Sequence, residues 1–110
     1  MIAYLFASLP GVSKVGSYTG NGTSQTIDCG FSSGARFVLI KRTDAGGNWL
    51  VVDTERGLVS GNDPVLLLDA TNAEQTNLDI VDPTSSGFIV NGTSANWNAS
   101  GGSYIFYAIA

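Results

Sequence analysis

Apolar residues in this chain come in short runs, and the clearest pair lies in Arg36–Glu55. There Phe37–Ile40 and Trp49–Val52 flank Asp44-Ala-Gly-Gly-Asn48. Two Val/Ile/Phe/Trp-rich runs around a Gly/Asn/Asp cluster predict a β-hairpin. In Phe37-Val38-Leu39-Ile40 both alternating faces are apolar. Such a strand needs cover on each side, from an opposing sheet or from a partner chain. Along the rest of the chain, the same pattern predicts strands at Ile2–Ala7, Val12–Thr19, Thr26–Cys29, Val65–Leu68, Leu78–Val81, Phe88–Val90 and Tyr104–Ala110. Pro10-Gly11, Gly20–Ser24, Ser60–Pro64, Asp82-Pro83 and Asn96–Gly102 punctuate them as turns. Only Asp69–Asn77 holds a cluster of helix formers, and without a periodic apolar face it supports one turn at most. Eight to ten short strands with little or no helix predict an all-β fold. We read it as an antiparallel β-sandwich of jelly-roll or concanavalin-like type, one domain over residues 1–110.

Ile2-Ala-Tyr-Leu-Phe-Ala7 also aligns without a gap on Ile105-Phe-Tyr-Ala-Ile-Ala110. Chance similarity between two apolar strands explains this. So does a tandem array, in which the chain opens with a copy of the strand that closes the preceding unit.

Charge narrows the function classes. Charged residues make up 13% of the chain, against ~25% in ordinary soluble domains. So little charge favours a surface partly covered by other chains. The net charge of −4 and the absence of a basic stripe argue against nucleic acid and against an anionic membrane surface. Met1–Ser13 lacks the early basic residues of a secretory leader and reads as structure; no run approaches the ~20 apolar residues of a membrane helix. The single cysteine, Cys29, forms no intrachain disulfide and reads as a buried inert thiol. The chain has no histidine to activate it.

Several groups invite chemistry. Asp53 and Glu55 share a strand face by their spacing, as a glycosidase pair would, though solvated carboxylates on a strand have the same pattern. Asn62 and Asp63 offer oxygens to a calcium ion, but at the spacing of no defined calcium loop. Zinc and other metals find no ligand set, and no cofactor is implied. The sequons at Asn21, Asn91 and Asn98 read as turn asparagines. For recognition, Asn96-Trp97-Asn98 stands out. An indole on a polar loop can stack on a sugar ring while the amides bond its hydroxyls. The alternative places Trp97 over the sheet edge or in a subunit contact. Trp49 is expected in the core. Tyr104 and Tyr107 lie on opposite faces of the last strand. With Tyr4 and Phe6, they are the candidate assembly residues.

Gly16-Ser-Tyr-Thr-Gly-Asn-Gly-Thr23, Phe37–Thr43 with Gly47-Asn-Trp49, Asp82-Pro-Thr-Ser85 with Phe88 and Val90, and Asn98-Ala-Ser-Gly101 before Tyr104–Ala110 follow one another in order. The set resembles a repeated all-β module of bacteriophage tail-fibre and other virion structural proteins, over about Val15–Ala110. A Gly-rich histidine turn frequent in that module is replaced here by Asp28–Ser33. The resemblance implies a module of the phage particle with no catalytic residues. It would act through contacts with other virion proteins and as a homo-oligomer, a trimer where it builds a fibre. A host-surface glycan-binding tip is the alternative, and an enzyme acting on surface polysaccharide is the weakest reading.

Overall fold

The computed structural model describes Ala3 and residues 5–110. Regular structure among them consists of nine strands: β1 (Ser13–Thr19), β2 (Gln25–Asp28), β3 (Phe37–Arg42), β4 (Leu50–Asp53), β5 (Asp63–Leu67), β6 (Gln75–Leu78), β7 (Val81–Thr84), β8 (Gly87–Val90) and β9 (Ser103–Ile109). They form a six-stranded sheet in the order β1-β9-β3-β4-β5-β6 and a three-stranded sheet, β2-β8-β7. Each pairing is antiparallel. The two sheets pack as an all-β sandwich, as the strand pattern predicts.

The β3–β4 hairpin sets the core. Its register places Val38 across Val52 and Ile40 across Leu50, and all four side chains are buried. The last strand lies between the first and the hairpin, so Ala108 meets Val38 and Phe106 meets Ile40. Phe88, from the smaller sheet, meets Phe106 edge-on with ring centroids 5.2 Å apart. Burying each such side chain stabilises the fold by ~1.5–3 kcal/mol. Gly16 makes room for this contact, since a Cβ there would come within 2.8 Å of the Phe106 ring.

Four expectations change. Of the first predicted strand, Ile2 and Tyr4 lie outside the described residues, and Leu5–Ser8 are not in a strand. Leu5–Ser8 run as an arm, reversed by the Pro10-Gly11 turn so that Leu9 bridges back to Ser13. Gly11 takes φ +73°, the left-handed conformation that Pro-Gly turns require at this place. Asp69–Asn77, allowed one helical turn at most, has none; instead Gln75–Leu78 extends as β6 against β5, a strand not expected there. Tertiary pairing overrides the weak local propensity of Ala73, Glu74 and Gln75. The strand expected at Leu78–Val81 breaks in two, with Leu78 ending β6 and Val81 opening β7. Asp82-Pro83 does not stop a strand but lies inside β7. That strand is a sheet edge, where a missing N–H breaks no ladder.

Candidate functional site

Two regions draw the recognition and assembly candidates together. The first is the loop Asn91–Gly102, where the predicted glycan triad faces inward. Ser94 starts the turn: its Oγ accepts from the Asn96 amide at 3.2 Å and its carbonyl from the Asn98 amide at 2.8 Å. This turns Trp97 toward the core, where it is 8% exposed, and its indole N–H donates to the Asn91 carbonyl at 2.7 Å. Asn98 is fully buried. Its Oδ1 accepts from the Asn21 amide (3.2 Å) and Gln25 Nε2 (3.0 Å). Its Nδ2 donates to the carbonyls of Thr23 (2.7 Å) and Gly92 (2.8 Å). That uses the full capacity of a carboxamide. Asn98 therefore holds this loop to Gly20–Ser24, Trp97 is turned onto the core, and neither has a face free for a sugar; only Asn96 is half-exposed.

The tyrosines complete the clamp. Tyr18 and Tyr104 stack at 5.1 Å between centroids. Tyr18 donates to the Trp97 carbonyl (2.6 Å), and Tyr104 donates to that of Ala95 (2.8 Å). Burial pushes the Tyr18 phenol far above its ordinary pKa, with Tyr104 adding to the rise. Tyr104, 1% exposed, is thus a core residue and not an assembly residue. Arg42 reaches the same loop, donating to the Ala95 carbonyl at 2.9 Å and pairing with Asp44 at 2.8 Å. That hydrogen bond holds the Asp44 carboxyl below its usual range. Gly20 lets the loops close, because a Cβ there would sit 2.1 Å from the Ala99 carbonyl oxygen.

The second region is the outward face of the six-stranded sheet. Cross-strand register puts Val15, Tyr107, Leu39, Val51 and Leu66 in one row over five strands. Only Val51 of these is buried. Phe6, from the arm, stacks on Tyr107 at 4.4 Å. The arm covers the face in part and leaves a cleft of about 600 Å³ lined by Phe6, Leu39, Trp49, Leu68 and Asp69. A second hollow, of about 280 Å³, continues it toward Val15 and Ile105. Trp49, expected in the core, is 37% exposed here: it immediately precedes β4, whose first residue Leu50 points inward, and lines the cleft with Leu39. Its backbone is fixed by the Asp69 carboxylate, which accepts from the Trp49 amide at 3.1 Å. Of the assembly candidates, Phe6 and Tyr107 lie on this face, and Tyr4 is outside the described residues. Sequence reasoning missed Val15, Leu39, Trp49, Leu68 and Ile105 as members of one surface. The signal was the doubly apolar strand Phe37–Ile40, whose second face is this one.

The other candidates are structural. Asp53 accepts from the Arg56 amide at 2.7 Å, and β4 ends there, so Glu55 lies in the following turn and the two acids share no strand face. Asp63 is fully buried; its Oδ2 accepts from the amides of Ile80 and Val81, each at 3.1 Å, while Oδ1 has no partner among the described residues. Burial pushes its pKa up to about 6 against the pull of those amides. Among the described residues, no group of three His, Cys, Asp or Glu side chains is placed to hold a metal. Cys29 is buried, and burial pushes its thiol up to about 11.

No curated protein and no solved structure matches the chain. A family model matches it from end to end, over residues 1–110, and its description is a domain of unknown function, DUF7483. The chain belongs to that family.

Proposed function

We propose that this chain is a structural module of a bacteriophage particle, in a tail fibre or a capsid decoration, and that it works by subunit assembly. The observation that carries the reading is the apolar face of the six-stranded sheet, from Val15 across Tyr107 and Leu39 to Trp49 and Leu68, which the arm covers only in part. Contiguous apolar surface of this kind marks an interaction site. Burying it against a neighbour contributes ~25 cal/mol per Å². The low charge of the chain and its ordered resemblance to virion modules support the same reading, in which the chain belongs to the virion and carries out no reaction. The clamped loop and closely packed core give such a module a rigid body on which to present the face.

Mass spectrometry of density-banded particles, from a host carrying the gene, tests the proposal. The chain is expected in the banded particles in many copies. Presence in the lysate and absence from the bands would overturn it.

A further inference from the structure

The assembly reading leaves the partner of the open face unnamed. Resting on that reading, we propose that the outward face of the six-stranded sheet pairs with the same face of a second copy of this chain, as an isologous dimer.

The sheet edges give the first reason. A free edge strand would recruit a neighbour by strand addition, but β1 is blunted at Ser13, Val15 and Thr19. Leu9 pairs with Ser13 through bonds of 3.1 and 3.0 Å, Ser8 Oγ accepts from the Val15 amide at 2.9 Å, and Gln25 Nε2 donates to the Thr19 carbonyl at 3.0 Å. At the opposite edge β6 has four residues and pairs irregularly with β5. In the smaller sheet, β7 carries Pro83 and β2 has four residues. Edges are closed and one face is open, so the contact is face to face.

Area and charge give the second. The exposed parts of Leu5, Phe6, Val15, Trp49, Leu68 and Ile105 come to roughly 600 Å² per copy, taking a large apolar side chain as ~200 Å². With half-buried Leu39, Tyr107 and Phe37, that approaches the ~800 Å² per partner of a stable interface. A face meeting its own copy must also avoid like charges. The row from Val15 to Leu66 has none, and Lys41 beside it spends its ammonium on the carbonyls of Arg42 and Gly47 at 2.9 and 2.8 Å. Asp69 is the carboxylate of the cleft, at its rim.

Shape gives the third. Leu5, 93% exposed, adjoins Phe6 in the arm, and Phe6 helps to line the 600 Å³ cleft. Each copy therefore offers both a knob and a hole, which is what a two-fold contact requires. A closed ring of three needs two different complementary patches. Elsewhere among the described residues, the large exposed apolar side chains are Leu9 and Val12 at the turn and Val59, too few and too scattered for a second patch. The number of copies that meet is two.

Sedimentation equilibrium across the micromolar range tests this. Wild type is expected to dimerise, and Leu68→Glu and Val15→Glu to weaken the dimer by ~100-fold or more, through an unpaired buried charge. Thr26→Glu, on the outward face of the smaller sheet, is expected to change nothing. Near-UV circular dichroism checks that the variants fold. A measurement needing no variant is acrylamide quenching of wild type: association is expected to shield Trp49, whereas Trp97 is shielded already. Monomeric or trimeric wild type, a dimer indifferent to the face variants, or quenching independent of concentration would each overturn the proposal. Monomeric wild type that is still present in banded particles would overturn the pairing and leave the assembly reading standing. A dimer missing from the particles would support the pairing and remove that reading.

Discussion

Each tryptophan of this chain marks a different way of finishing a surface. At the loop Asn91–Gly102, Trp97 closes a region built from polar residues, and the buried side-chain polar atoms there all find partners. On the six-stranded sheet, Trp49 stands on a region of regular strands and apolar side chains that the arm covers only in part. The first region, a loop of Ser, Asn and Gly, turns Trp97 and Asn98 into the core because Asn98, Tyr18 and Tyr104 satisfy its backbone. The second, which reads as core by composition, is open because the smaller sheet covers only the other side. Hydrogen-bond completeness, more than apolar content, decides which region is sealed.

The largest test of that contrast is Trp97→Ala. It removes a buried indole and leaves the Asn91 carbonyl without its 2.7 Å donor. The expected loss is ~3–5 kcal/mol in a denaturant titration. Asn98→Ala comes next, at about 3 kcal/mol, because it orphans groups on both loops at once: the carbonyls of Thr23 and Gly92 and the amide of Asn21. If both variants melt like wild type, the loop is not sealed in solution and the contrast falls.

Much of this architecture is legible in the sequence, and the reasons differ by region. The hairpin Phe37–Ile40 with Trp49–Val52 is readable because its partners are close in the chain and its turn is marked by Gly and Asn. So is the closing strand, whose Tyr104 and Tyr107 do lie on opposite faces. The Lys41-Arg42-Thr43 string is legible as a motif but not as a device; only the fold brings Arg42 to Ala95, 53 residues away. The glycan reading of Asn96–Asn98 fails for the same kind of reason. Nothing local says that Thr23, Asn21 and Gln25 will surround Asn98 from more than 70 residues away. Trp49 is misplaced because an alternating apolar strand does not state which of its faces a three-stranded sheet will be wide enough to cover.

Asp63 sharpens the comparison from inside the core, as a buried polar side chain whose set of partners is incomplete. Its folded pKa of about 6 lies above the ordinary carboxylate value of 3.8. The fold therefore favours its protonated form. That contribution is fully present below about pH 4 and is lost as the pH rises through about 6. The magnitude is up to about 3 kcal/mol, at ~1.4 kcal/mol for each pH unit that separates the folded and unfolded values. Asp44, held low by Arg42, has the opposite sign: its contribution is present above pH 4 and is lost on acidification. The difference between wild type and Asp63→Asn isolates the first. Asp63→Asn is expected to gain on wild type between pH 4 and 7 in thermal unfolding, and parallel curves would place the carboxyl in contact with solvent.

The smallest effect on stability is expected at Trp49, and it separates the two regions most cleanly. Both hydrogen bonds of this residue use its backbone: its amide donates to Asp69 at 3.1 Å and its carbonyl accepts from the Leu68 amide at 3.0 Å. They survive replacement of the side chain. The indole is 37% exposed and rests on Leu39 and Leu68 across an open cleft, so removing it leaves a wider cleft rather than a sealed cavity. Trp49→Ala should therefore cost the monomer about 2 kcal/mol, under the figure for Trp97→Ala. The same replacement should reduce association of the sheet face, measured on the same samples by sedimentation. A residue that matters less to the monomer than a sealed indole does, and matters also to the pair, is what an interface side chain is. Equal losses from both tryptophans in denaturant would instead make Trp49 a core residue at the margin of its own fold.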